Sequence, residues 1–102
     1  SGRSSFKDYA NLSQVMFAEG SELHEIGSSA FEGCTNLEVI YVSDKFNVLN
    51  VTDSFDMFAG CSKLVGGNGT VYDSSKDDET YARIDKTNEP GYFTDIADKP
   101  KE

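Results

Sequence analysis

The chain has 102 residues, 37% of them hydrophobic and 12% aromatic, enough for one domain with a modest core. Its 18 acidic against 9 basic residues leave a net charge of −9, which argues against nucleic acid or an anionic membrane surface as partner, since both need a basic face. No apolar run approaches the ~18 residues of a membrane-spanning helix.

The chain opens at Ser1-Gly2 without Met and inside a repeat pattern, so it reads as an excised or mature fragment. The lack of a signal peptide therefore says nothing about export. Residues 1–5 are expected to fray. Ser5 and Asp8 are spaced as a capping pair for a short helical turn through Tyr9. Leu12-Ser13-Gln14-Val15-Met16-Phe17 follows the Leu-x-x-apolar-x-apolar pattern of leucine-rich repeats. Strand side chains alternate, which sends Val15 and Phe17 inward and Gln14 and Met16 outward. Glu19-Gly20-Ser21 turns the chain, and Leu23 and Ile26 begin the next unit.

Ser29 and Glu32 form a capping box for a short helix, with Phe31 toward the core and Gly33 suited to a left-handed stop. Leu37 to Val42 is the clearest strand: Ile40 and Val42 inward, Val39 and Tyr41 outward. Ser43-Asp44-Lys45 turns the chain, and residues 46–51 form an apolar connecting edge. Thr52 or Asp53 caps a second short helix through Phe55, Met57 and Phe58, ended by Gly60. Cys61 to Val65 starts a third strand, which Gly66-Gly67-Asn68-Gly69 interrupts where inward side chains are needed.

These units repeat. Phe6 to Phe17 falls on Phe31 to Val42 at an offset of 25 residues, and a third copy begins at Phe58 at an offset of 27. A period in the twenties predicts an α/β fold: a short leucine-rich-repeat-like solenoid of about two and a half coils, each a short helix plus a short strand, over residues 1–69. Residues 70–94 hold short alternating segments around charged turns and are expected to form a C-terminal β cap of the same domain. Residues 95–102 are charged and contain Pro100, and read as a disordered tail.

Cys34 and Cys61 occupy equivalent repeat positions. Stacked coils would bring them about 5 Å apart. They are either buried thiols in an apolar ladder or a disulfide between coils. Tyr9 in the same slot of the first repeat suggests a demand for bulk rather than a bridge. A metal site is not expected, because the only histidine, His24, stands alone.

Ile26-Gly27-Ser28-Ser29-Ala30-Phe31-Glu32-Gly33-Cys34-Thr35-Asn36-Leu37 resembles the Ile-Gly-x-x-Ala-Phe-x-Gly-Cys-x-x-Leu repeat of BspA-like leucine-rich repeat proteins. Asn50 to Leu64 is similar to that family's second repeat style, Asn-Val-Thr-x-Met-x-x-Met-Phe-x-Gly-Cys-Ser-x-Leu. Residues 66–73, 81–85 and 90–94 look like the ending common after such repeats. The departures are Asp8-Tyr9 in place of Gly-Cys and Ser54 in place of the first Met. The resemblance implies the C-terminal end of a repeat array in a bacterial cell-surface or secreted protein. It further implies a non-catalytic extracellular interaction or adhesion module, whose partner is a host matrix protein, a glycan or another surface protein. The alternative is a structural spacer or stalk with no ligand of its own.

The outward strand face is the natural binding surface of such a repeat, which makes Gln14, Met16, Glu38, Val39 and Tyr41 the candidate ligand-facing residues. Met16, Val39 and Tyr41 would form an exposed apolar patch, unless the C-terminal segment or a neighbouring coil covers it. The run Asp73 to Glu79 has oxygen ligands at alternate positions, as calcium loops do, yet lacks the central Gly and a suitably spaced Glu, so a solvated turn is the better reading. No nucleophile–base pair or carboxylate pair stands out, so neither a catalytic site nor a cofactor is expected. The glycosylation sequons at Asn11, Asn50 and Asn68 are chance matches in a bacterial chain.

Overall fold

In the computed structural model, residues 8–16, 31–44, 56–77 and 79–100 are described. Three short strands form one open sheet: β1 (Gln14–Met16), β2 (Val39–Val42) and β3 (Phe93–Asp95), in the order β1-β2-β3 and all parallel. Gln14, Val15 and Met16 pair with Val39, Ile40 and Tyr41, each 25 residues further along. The spacing of the first two repeats is thus also the register of the sheet. The repeat offsets, 25 residues and then 27, also stack the turns that precede the strands. Asp8 N–H donates to the Glu32 carbonyl at 2.7 Å, and Gly33 N–H to the Ala59 carbonyl at 2.8 Å.

Among the described residues the helices of the expected α/β solenoid do not form. No helix of seven or more residues occurs among them, and the helical pieces are single 3-10 turns at Glu79–Tyr81 and Ile96–Asp98. The helix-plus-strand solenoid is therefore replaced by turns flanking a small sheet. Residues 31–33 and 56–60 close as turns, with Cys34 N–H donating to the Phe31 carbonyl at 3.2 Å and Cys61 N–H to the Phe58 carbonyl at 3.0 Å. A left-handed residue ends each turn before a helix can propagate: Asp8 at φ 63°, Gly33 at 82° and Gly60 at 85°. The amides that a helix would use along its axis are spent between repeats, as where Phe31 N–H reaches the Met57 carbonyl at 2.9 Å. Phe17, Leu23, His24, Ser29, residues 46–51, Thr52, Asp53 and Phe55 lie outside the described residues, and so does the first half of each predicted helix.

The third strand comes from an unexpected place. Leu64 and Val65 begin beside β2, with Val65 N–H donating to the Glu38 carbonyl at 3.1 Å. The repeat would next place Gly67 and Gly69 at the positions of Ile40 and Val42. Neither has a side chain to bury. The chain instead turns back over Gly66–Thr70, forming an antiparallel bridge between Val65 and Val71. Phe93 then takes the vacant register against Ile40, fully buried. The C-terminal segment thus adds a strand, Phe93–Asp95, to the sheet. Residues 95–100, read as a tail without structure, continue β3 through Asp95 and enter a 3-10 turn capped by the Asp95 carboxylate.

The core follows the repeat. Phe31 and Phe58 stack at 5.7 Å with planes 4° apart, and Leu37 and Leu64, like Cys34 and Cys61, are fully buried in matching slots. Phe58 also meets Tyr92 edge-on at 5.1 Å and Phe93 at 6.0 Å, which joins the repeat core to the C-terminal segment. Both cysteines are free thiols, and Cys61 Sγ lies 3.1 Å from the Phe31 carbonyl oxygen. Tyr9, their counterpart in the first repeat, is exposed, so bulk in that slot is not a demand of the core.

Candidate binding groove

Alternation holds on β1, where Val15 is buried between exposed Gln14 and Met16. It fails on β2, where Ile40, Tyr41 and Val42 are all buried. The register puts Met16, Tyr41 and Thr94 side by side in one row across the sheet, with Met16 52%, Tyr41 7% and Thr94 8% exposed. The expected open apolar patch is therefore closed at its centre. Lys99 covers it, its ammonium 5.8 Å from the Tyr41 ring centroid, within cation–π range. Thr94 stands beside Tyr41 in the sheet register, on β3.

An open groove of about 730 Å³ runs beside β2. Glu38, Val39 and Tyr41 line one side, Lys63 to Val65 and Val71 another, and Thr94, Asp98 and Pro100 the C-terminal end. The groove brings together Glu38, Val39 and Tyr41 of the predicted face, and leaves Gln14 and Met16 outside it. Its apolar rim is Val65, 37% exposed, and Val71, 67% exposed. Sequence reasoning missed this pair. The signal was present: two valines flank a Gly/Asn-rich turn in Val65-Gly66-Gly67-Asn68-Gly69-Thr70-Val71, a hairpin pattern. Asp98 and Pro100 were assigned to the tail and carried no signal. Lys63 is held at the rim by Asn36, whose Oδ1 accepts from its ammonium at 3.0 Å while Asn36 Nδ2 donates to the Ala10 carbonyl at 2.7 Å. This ladder joins positions 10, 36 and 63 of successive repeats.

One buried carboxylate sits next to the groove. Asp85 Oδ2 accepts from the N–H groups of Asn68 at 2.8 Å and Thr70 at 3.0 Å. Its Oδ1 accepts from the Thr70 hydroxyl at 2.7 Å and Gly91 N–H at 3.1 Å. Burial alone would push this carboxyl up, but the Thr70, Gly91 and Asn68 donors together outweigh it and hold it below the usual carboxylate range. Four donors aimed at one anion suit a structural tie between the Gly-rich turn and residue 91, not a proton carrier. Elsewhere, burial pushes the Cys61 thiol up to about 12, far from a reactive thiolate. Asp73, in the run considered for calcium, accepts from both the N–H and the hydroxyl of Ser75, which together hold its carboxyl below the usual range. Among the described residues no three His, Cys, Asp or Glu side chains converge as a metal site, and no helix is long and apolar enough to cross a membrane.

Comparisons of the chain with family models, with curated proteins and with solved structures return no match.

Proposed function

We propose that this chain is a non-catalytic, extracellular protein-binding module of a bacterial surface protein, and that it engages its partner through the groove beside β2. The observation that carries this reading is the exposed pair Val65 and Val71 on the rim of an open groove that also holds Glu38, Val39 and Tyr41. Small domains rarely leave such apolar side chains together at a concave surface without a use for them. The surface location rests on the resemblance of residues 26–37 and 50–64 to BspA-like repeats. A spacer role is the second reading, and one observation favours it: Tyr41, the centre of the predicted face, is covered by the chain's own Lys99.

The test is a binding panel of matrix proteins, glycans and bacterial surface proteins, run by biolayer interferometry on the parent chain, Val71→Arg and Met16→Arg. A binding module through this groove gives saturable binding that Val71→Arg abolishes and Met16→Arg leaves intact. A flat response across the panel supports the spacer instead. Binding that Val71→Arg does not change puts the site elsewhere.

A further inference from the structure

The Tyr41 ring, at the edge of the groove, carries a cation that the chain supplies itself, from a residue that is not part of the groove lining. Lys99 lies over the Tyr41 ring and is only half-buried. The strap that carries it, from Ile96 to Pro100, has no buried residue in its 3-10 turn. Two of its hydrogen bonds are internal: Ala97 N–H to Asp95 Oδ1 at 2.9 Å, and Lys99 N–H to the Ile96 carbonyl at 3.1 Å. Beside the ring, the groove holds the exposed carboxylates of Glu38 and Asp98 and the apolar side chains of Val65 and Val71. Among the described residues its one lining cation, Lys63, is already engaged by Asn36. The surrounding chain carries a net charge of −9.

An aromatic face, carboxylates nearby and an apolar rim suit one kind of ligand. The geometry points to a docking site for an extended segment of a partner protein that carries Lys or Arg next to an apolar residue, the incoming cation displacing Lys99 from Tyr41. This rests on the binding-module reading and specifies the partner's chemistry. The apolar side chain packs on Val65 and Val71. The basic one gains the ring and the field of Glu38 and Asp98. Lys99 is then a tethered competitor: while its ammonium covers the ring, only the fraction of molecules with that side chain swung away can bind, and the apparent affinity falls by that fraction. An acidic segment would meet Glu38 and Asp98 with like charge.

The experiment is an NMR titration of the isotope-labelled chain at low salt with two capped peptides, one alternating Lys with Val and one alternating Glu with Val, each taken to about 5 mM, where contacts of this size saturate. The expected result is that the Lys–Val peptide shifts Tyr41, Val65 and Val71, and that the Glu–Val peptide does not. Lys99→Ala should bind the Lys–Val peptide about two- to fivefold more tightly, the factor of an exposed cation–π contact. Val71→Ser, at a two-thirds exposed position that a polar residue tolerates, should bind it more weakly. No shifts with either peptide, equal shifts with both, or Lys99→Ala binding no more tightly than the parent overturns the inference. A protein captured in the binding panel that neither Val71→Arg nor saturating Lys–Val peptide displaces also overturns it, while leaving the binding-module reading in place. Peptide binding at this site with no capture from the panel supports the groove chemistry and counts against that reading.

Discussion

Replacing Phe58 by Ala tests how the two halves of this domain are joined. Phe58 is fully buried, stacks on Phe31 at 5.7 Å, and meets Tyr92 and Phe93 edge-on at 5.1 and 6.0 Å. A buried Phe→Ala change costs about 3–5 kcal/mol in lost transfer energy and residual cavity. Three aromatic neighbours place Phe58 at the upper end, because each ring pair adds roughly 0.5–1.5 kcal/mol beyond area. A domain of this size has roughly 5–15 kcal/mol in all, so Phe58→Ala should remove about a third of its stability or more. Phe58→Leu keeps most of the volume and loses the ring geometry, and should cost about 1–2 kcal/mol. Urea denaturation followed by far-UV circular dichroism measures both. A cycle of Phe58→Leu with Tyr92→Leu then isolates the contact between the repeat core and the C-terminal segment. Coupling of at least about 0.5 kcal/mol is expected. If Phe58→Ala unfolds within 1 kcal/mol of the parent, or if the cycle is additive, the C-terminal segment does not pack on the repeat core and the fold described here is wrong.

Further outcomes follow from the same contacts. Asp85→Asn removes a charged acceptor from four donors and should cost about 2–4 kcal/mol at neutral pH, read by urea denaturation. The folded pKa of Asp85 lies below its unfolded value near 3.8, so its contribution is complete above that value and is lost as pH falls through the lower, folded one. As pH falls below about 4 the parent should therefore lose stability faster than Asp85→Asn; parallel curves would show that the carboxylate is not tied as described. A Cβ at Gly91 would collide with the Arg83 carbonyl oxygen, so Gly91→Ala should cost about 3 kcal/mol, and a neutral result on thermal melting would contradict that close approach. Cys61 and Tyr92 keep their protons in the folded chain up to about 12, whereas the unfolded chain releases them from about 9 and 10, so stability should decline as pH rises above about 9. For the same reason both cysteines should resist iodoacetamide at pH 8 until urea unfolds the chain, and labelling of Cys61 in the native state would refute its burial.

Much of the sheet was readable from one dimension. The 25-residue self-match that aligns Gln14 with Val39 is the register in which β1 and β2 pair. The left-handed stops at Gly33 and Gly60 followed from glycine after a short apolar turn, and Asp8 adopts the same conformation without being glycine. Among the described residues turns stand where helices were expected, because a capping box marks where a helix can start, not whether it can grow. With a left-handed residue one turn later, backbone bonds between repeats outcompeted bonds along a helix axis. The candidate site was half legible. Glu38, Val39 and Tyr41 line the groove, but period-two alternation cannot say what packs on the outer face of a strand.

What the chain carries locally is spacing: repeat length, turn chemistry, and which residues want to be buried. These depend on near neighbours and survive in any reading of the sequence. What the three-dimensional structure alone decided is which distant segment satisfies them. Gly67 and Gly69 leave the third repeat without side chains for the core, so a vacancy beside Ile40 is visible in the sequence. That Phe93 fills it, Asp85 ties the turn, and Lys99 closes over Tyr41 is not visible. Those pairings span loops whose closure entropy changes little with length, so no periodicity announces them, and packing against the finished core selects them.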